Sequence, residues 1–402
     1  MSVVVKHRLG ERWLAKKIAQ CSLKNQAFHP VIQEFKALIE QDPMISMGFH
    51  QMFEQVPTQP PYNNDPAGKP QVRDYKTMLA LFNKILTEAP AFEESEYDVG
   101  LVSFPINAIL DWPMGTPAGF AMFMDPRVNA QFKKMFNVWA SFLTSLESRY
   151  ILTTDKTGWF GPGGSAAMPG FVELYVCHPS TEYYRFKSWD DFFTRLFRPG
   201  VHPIMFPDND DIVNSACEST VYCIASNVEA LDTFWLKGES YSLNDMLNND
   251  PLAPQFTGGT VYQAFLSATM YHCWHSPVNG KVVKTVMIPG TYYTKSPAMG
   301  FPNPDSSTPT LSQGFITAVA TRALIFIEAD NPSIGLMCFM AMGMAEVSTC
   351  QITVNEGDRI TKGTEMGMFH FGGSTHCLIF CPETKITFSP DQLRLAATSE
   401  NG

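Results

Sequence analysis

The sequence predicts an α+β protein in which a helical N-terminal part precedes a β-rich, duplicated, barrel-like core. Three observations predict it. Apolar residues recur at helical spacing early in the chain, short β-rich runs punctuated by glycine take over from about Val176, and a glycine- and proline-rich stretch at 158–170 separates the two. A chain of 402 residues is long enough for about two domains. Their expected bounds are 1–165 for a helical accessory domain and 170–402 for the β-rich domain.

The helical stripes come first. Ile32, Phe35, Leu38 and Ile39 form one, and Met78, Phe82, Ile85 and Leu86 a second. Phe132, Met135, Phe136, Trp139, Phe142, Leu143 and Leu146 form a third, and core packing accounts for all three. TQPPYNNDPAGKPQ at 58–71 reads as a loop. GWFGPGGSAAMPG at 158–170 lacks the Lys-Ser/Thr pair of a phosphate-binding loop and is interrupted by two prolines, so it reads as a flexible connection. SWDDFFTRLF at 188–197 reads as a helix. HSPVNGKVVKTVMIPGTYY (275–293) and TVNEGDRITKGTEMGMFHFGG (353–373) are strand-turn-strand patterns, turning at Asn279-Gly280, Glu356-Gly357-Asp358 and Lys362-Gly363. Two such units predict a duplicated, glycine-cornered sheet. IGLMCFMAMGMA at 334–345 falls short of the roughly 20 apolar residues of a membrane span and reads as a buried strand.

Charge and cysteine usage narrow the function classes. A formal charge of −10 supplies no basic field, which argues against nucleic acid and against an anionic membrane surface as partners. Nine cysteines, an odd number without a CxxC pair, suggest neither a disulfide framework nor a metal site, and fit a reducing, cytoplasmic location. The first residues, MSVVVKHRLGERWLAKKIAQ, fall short of the roughly 7 to 15 apolar residues of a secretory signal. Glu11 and the lack of a serine-rich run favour a surface helix over an organelle transit peptide.

Three short segments carry candidate chemistry. In FGGSTHC (371–377) two glycines precede Ser374, which permits the torsions an internal serine needs to fold back onto the Gly373 carbonyl. A Gly-Gly turn before an ordinary serine uses the same letters. YHCWHSPVNG (271–280) sets His272 and His275 three apart, on opposite sides of a strand or on one side of a tight turn. A metal pair would want an HExxH helix or nearby cysteine pairs, which are missing, and loop or core histidines are the plainer reading. SACES (215–219) holds an isolated acid, Glu218.

In their order, these segments resemble the phosphatidylserine decarboxylase family. FKSWDDFFTRLFRPGVHPI (186–204) is similar to that family's FxSFxDFFxRxxRPGxRPI, and SACES sits where the family has SPAD and a small residue. LKGESYSLNDML (236–247) is similar to KGxxFSxxxLL, YHCWHSPVNG to YHRxHSPVDG, and EGDRITKGTEMGMFHFGGST (356–375) to VxKGxELGxFxFGGST. This match covers roughly residues 180–400. HPVIQEFKALIEQDP, MLNNDP, IPGTYY and FIEADNPSIGL extend the resemblance over nearly the whole chain to a soluble fungal branch that contains an L-tryptophan decarboxylase.

The resemblance implies a role for each residue. Ser374 is the self-cleavage serine and the precursor of a covalent pyruvoyl group, and Gly373 supplies the attacked carbonyl. His275 matches the base that activates the serine, His272 the residue that handles the proton of decarboxylation, and Glu218 the aspartate that orients the base. No pyridoxal phosphate is required. The implied substrate is a free amino acid, tryptophan first, and the two chains left by the cut are expected to stay associated, with a homodimer as the assembly considered.

Two other readings stand beside it. Phosphatidylserine decarboxylase itself is disfavoured by the lack of an anchor segment and by Cys273, which replaces an arginine suited to bidentate binding of phosphate. A non-cleaving binding protein follows if Glu218, one methylene longer than aspartate, is misplaced. His376 stands where the family has an apolar residue; on a continuing strand it shares a side with Ser374, as a substrate-pocket candidate or a core histidine.

Overall fold

The computed structural model of the chain describes residues 17–18, 27–58, 72–92, 104–231, 241–267, 269–296, 312–344, 349–390 and 392–393. The expected N-terminal helix and the 58–71 loop lie, but for Lys17, Ile18 and Thr58, outside the described residues.

Helices α1 (Pro30–Gln41), α2 (Pro43–Glu54), α3 (Tyr75–Ile85), α4 (Pro105–Met114), α5 (Pro117–Met124) and α6 (Pro126–Leu143) form the first part. All but α3 open on proline, whose fixed φ suits the first turn and whose missing N–H has no partner to lose there. Asp42, Asp74, Thr116 and Asp125 cap α2, α3, α5 and α6 by accepting N–H bonds from the first turn. Each such cap stabilises by about 1 kcal/mol. The expected stripes are buried, Phe35 meeting Phe49 and Phe132 edge-on at 5.9 and 5.1 Å. Leu38 and Phe142 are half-buried, and Leu146 is the exception at 60 % exposed. The helix ends at Leu143, and the tighter turn at Leu146–Ile151 breaks the 3.6-residue period that would have buried it.

The 158–170 stretch is not the flexible connection its composition suggested. Trp159 and Phe160 are buried, the Trp159 Nε1–H donates to the Pro90 carbonyl at 2.8 Å, and Pro162–Ala167 is helical. A Cβ on Gly158, Gly161 or Gly164 would come within 2.2, 1.9 or 2.1 Å of a backbone oxygen. These glycines serve close backbone approach rather than mobility. One buried cluster takes in the helical stripes, Trp159, Trp189 and Phe193, and also Tyr271, Cys273, Tyr293 and Phe371.

Among the described residues the strands form two antiparallel sheets. The larger runs in the order β1 (Thr220–Ser226), β2 (Thr260–Leu266), β10 (Gly373–Phe380), β6 (Leu336–Met344), β5 (Arg322–Ala329), β4 (Gly280–Ile288), β8 (Arg359–Ile360). The smaller is β3 (Cys273–His275), β9 (Glu365–His370), β7 (Thr349–Ile352). The apolar run at 334–345 is β6, as expected of a buried strand.

Both strand-turn-strand patterns are present, but their halves pair elsewhere: β3 lies against β9, and β4 against β5 and β8. The chain crosses from the small sheet to the large one at two glycine corners, β3 to β4 at Gly280 within the first pattern and β9 to β10 at Gly372–Gly373 at the end of the second, whose own strands are β8 and β9. At the first corner a Cβ on Gly280 would lie 2.4 Å from the Glu328 carbonyl oxygen. At the second corner stands Ser374.

Candidate active site

The chain leaves β9 at His370, turns through Phe371 and Gly372, and enters β10 at Gly373. Phe371 is buried with φ at 68°, the left-handed region that favours glycine. Holding a bulky residue there costs about 1–3 kcal/mol, which the packing of its ring in the helical core offsets. Ser374 lies opposite Leu266 on β2 and Gly343 on β6, wholly buried, and its Oγ has no hydrogen-bond partner. An unsatisfied buried hydroxyl costs about 1–3 kcal/mol.

The two histidines take different surroundings. The His275 Nδ1 lies 2.9 Å from the Gly363 carbonyl oxygen. A carbonyl only accepts, so Nδ1 carries a proton, and the Tyr271 hydroxyl meets Nε2 at 2.9 Å. Gly363, at φ 80°, is the turn residue that brings this carbonyl round. Glu218 is exposed and accepts the Tyr271 backbone N–H at 3.4 Å. Its link to His275 therefore runs through Tyr271, and the direct orienting contact on His275 comes from Gly363.

His272 is wholly buried, its ring 4.0 Å from that of Phe193, and neither ring nitrogen has a hydrogen-bond partner. Burial, and then the Arg195 charge, hold its pKa well below the usual histidine value, so the ring is neutral. The Phe369 N–H donates to the His272 carbonyl, whereas His275 pairs with Glu365. Of the two, His272 sits at the end of β9 that leads to Ser374.

Helix α7 (Trp189–Phe193) and the residues after it brace this corner. Asp190 bonds the Nδ1 of His370, the last residue of β9, at 2.8 Å, and Gln351 bonds its Nε2 at 2.8 Å. Arg195 donates to the carbonyls of Thr269 and Met270 at 2.5 and 2.9 Å and lies 4.6 Å over the Tyr175 ring, which pins the turn into Tyr271 and His272. The sequence of this segment does not by itself mark these roles. Their only signal was two acids and an arginine set in an otherwise aromatic helix. Tyr271 and Gly363 were missed as well, because neither residue type marks a base from sequence.

His376 is wholly buried and shares the face of Ser374, as expected of a continuing strand. Phe339 and Tyr262 place ring centroids 5.9 and 6.1 Å from it, and neither of its nitrogens has a partner. Burial pushes its pKa down to about 3, so this ring is neutral too. Cys273 is wholly buried in the helical core, with its thiol pushed up by burial to about 12.

Thr375, on the other face, is satisfied. Its Oγ1 donates to the Ala264 carbonyl at 2.9 Å and accepts from the Gln263 amide at 3.2 Å, and Gln263 accepts in turn from the Tyr241 hydroxyl at 2.6 Å. The described cysteines carry free thiols. Among the described residues no helix is long and apolar enough to cross a membrane, and no three His, Cys, Asp or Glu side chains are grouped to hold a metal ion. A buried serine hydroxyl thus follows a strained backbone, with the neutral imidazole of His376 two residues on and that of His272 beside the end of β9 that leads to it.

A family model described as phosphatidylserine decarboxylase matches residues 189–399, and a second of that description matches residues 29–168. An L-tryptophan decarboxylase of Psilocybe cubensis is 40% identical over 369 residues, 86% of this chain and 79% of that protein. Decarboxylase iboD of Amanita muscaria is 44% identical over 302 residues, 71% of this chain and 86% of that protein. A phosphatidylserine decarboxylase proenzyme of Schizosaccharomyces pombe is 31% identical over 213 residues, 53% of this chain and 21% of that protein.

Proposed function

The chain belongs to the phosphatidylserine decarboxylase family and is a carboxy-lyase, and from that premise we propose that it cuts itself between Gly373 and Ser374 and then decarboxylates a free amino acid. L-tryptophan is the substrate proposed, on the likeness to the Psilocybe enzymes. The observation that carries the self-processing is the buried, unpartnered Ser374 hydroxyl directly after a corner strained at Phe371. The division at 1–165 and 170–402 is part of the proposal, supported by the break between the two matched ranges.

In the cut, the Ser374 Oγ attacks the Gly373 carbonyl carbon, and the peptide nitrogen leaves to become the Ser374 amine, which gives an ester. Loss of the Ser374 α-proton expels the Gly373 carboxylate and leaves dehydroalanine. Its imine tautomer takes up water and releases ammonia, so residue 374 becomes pyruvoyl. His275, with its Nδ1 proton lodged on Gly363, has the Nε2 lone pair to accept the serine proton through the Tyr271 hydroxyl or in its place. Glu218 steadies Tyr271.

The residues present fit the group. Position 374 is wholly buried, Gly343 opposite carries no side chain, and the hydroxyl that would be consumed has no other partner. A pyruvoyl carbonyl supplies an electron sink for the electrons released as CO₂ leaves. His272, neutral and unpartnered, gives its N–H proton to the carbon that has lost CO₂. The smaller piece, 374–402, stays in place because β10 is laddered to β2 on one side and β6 on the other.

A second assignment of the histidines has its own support. Both nitrogens of His275 are engaged, while His272 has two free nitrogens and lies at the end of β9 nearer the cut, which favours His272 as the cleavage base. The substrate is tested by CO₂ release from a panel of amino acids and from phosphatidylserine vesicles. Release from L-tryptophan and none from the vesicles is the expected result; release from the vesicles alone overturns the reading.

A further inference from the structure

We infer that His376 reads the substrate's side chain by hydrogen-bonding the polar edge of a flat ring, so that the site selects aromatic amino acids carrying a ring N–H or hydroxyl. The inference rests on the proposal that Ser374 becomes the reactive group, and it specifies what that group acts on.

Placement comes from the ladder. Ser374 and His376 are alternate residues of β10 and point to the same side, about 6.6 Å apart along the strand. That is the order of the reach from the α-carbon of an aromatic amino acid to the far edge of its ring. In the sheet His376 is flanked by Ala264 on β2 and Ala341 on β6, with Ala323 beyond on β5, and Ser374 has Gly343 beside it. No side chain larger than methyl stands next to the imidazole in its own row of these strands. Phe339 stacks at 5.9 Å with an interplanar angle of 27°, and Tyr262 lies at 6.1 Å, so the walls near the ring are aromatic. Further along the same face Leu378 and Phe380, with Tyr262, line a cavity of about 590 Å³, which places the Tyr262 ring between that cavity and His376.

Chemistry then decides what is bound. A wholly buried imidazole with neither nitrogen bonded is costly, and such groups are rare unless something outside the chain completes them. The neutral ring brings no charge, so a phosphate head group or a second carboxylate finds no ion pair here to offset its own desolvation. A ring N–H or hydroxyl on an apolar body does gain, by meeting the lone pair of one nitrogen or the N–H of the other.

The test compares the mature wild type with His376→Leu and His376→Gln, measuring the extent of the cut by intact mass and kcat/KM on L-tryptophan and L-phenylalanine. All three are expected to cut. His376→Leu should lose about 10- to 100-fold on tryptophan while phenylalanine changes little, the loss expected when one buried hydrogen bond to the substrate goes. His376→Gln, which keeps a donor and an acceptor, should recover part of it. An unchanged tryptophan-to-phenylalanine ratio in a fully cut His376→Leu overturns the inference. If that variant does not mature, the ratio in His376→Gln decides by the same criterion, and failure of both to cut makes His376 a maturation residue and overturns it too. A wild type active only on non-aromatic amino acids overturns this inference and the choice of tryptophan but leaves the self-cutting amino acid decarboxylase standing, whereas one inactive on every amino acid overturns the proposed function and this inference with it.

Discussion

The two faces of β10 share one strand, the same two neighbours and complete burial, yet they treat their polar groups in opposite ways. Thr375 is bonded to Ala264 and Gln263, and Gln263 to Tyr241. Ser374 and His376, one residue to either side, have no partner at all. Burial alone therefore does not mark the side proposed to react. What marks it is a hydrogen-bonding debt that the fold leaves open on one face and closes on the other, next to a backbone strained at Phe371.

The largest effect should come from the base. His275→Ala is expected to accumulate uncut chain, slowing the cut by about 10²- to 10⁴-fold, as followed by denaturing gel over time. If that variant matured normally while His272→Ala stayed whole, the second assignment of the histidines would replace the first. On the leading assignment His272→Ala cuts itself, and its amine formation falls by about 10²-fold or more, because only the later proton transfer is lost. Equal turnover in His272→Ala and wild type would end that division of labour.

Glu218→Ala should do less, slowing the cut by about 10-fold, since Glu218 meets Tyr271 and not His275 itself. A block as complete as that of His275→Ala would mean that Glu218 turns directly onto the base before the cut. The satisfied face predicts the smallest chemical effect. Thr375→Val leaves the Ala264 carbonyl and one Gln263 N–H short of a partner, so stability should drop by about 1–3 kcal/mol in denaturant titrations with the extent of the cut unchanged. Loss of cutting in a folded Thr375→Val would erase the contrast between the faces.

Much of this was legible in the sequence because it is local. The stripe through Phe132, Met135, Phe136 and Trp139 needs only the helical period, and the corner before Ser374 needs only its glycines. The 158–170 stretch misled because the same glycines serve mobility in one setting and close packing in another, and only Trp159 buried against Pro90 tells them apart. Strand pairing was beyond reach for a different reason. β10 lies between β2 and β6, and β3 finds β9 rather than β4, across long sequence separations that no turn specifies. The same holds for Gly363 and Tyr271, whose parts depend on where His275 points.

The most direct test is the intact mass of the purified, denatured protein. Two pieces are expected, residues 1–373 and 374–402, the smaller lighter by one ammonia than a peptide beginning with serine and lacking a free N-terminal amine. A single mass for the whole 402-residue chain, in a preparation that releases CO₂ from its substrate, would contradict the account at its centre.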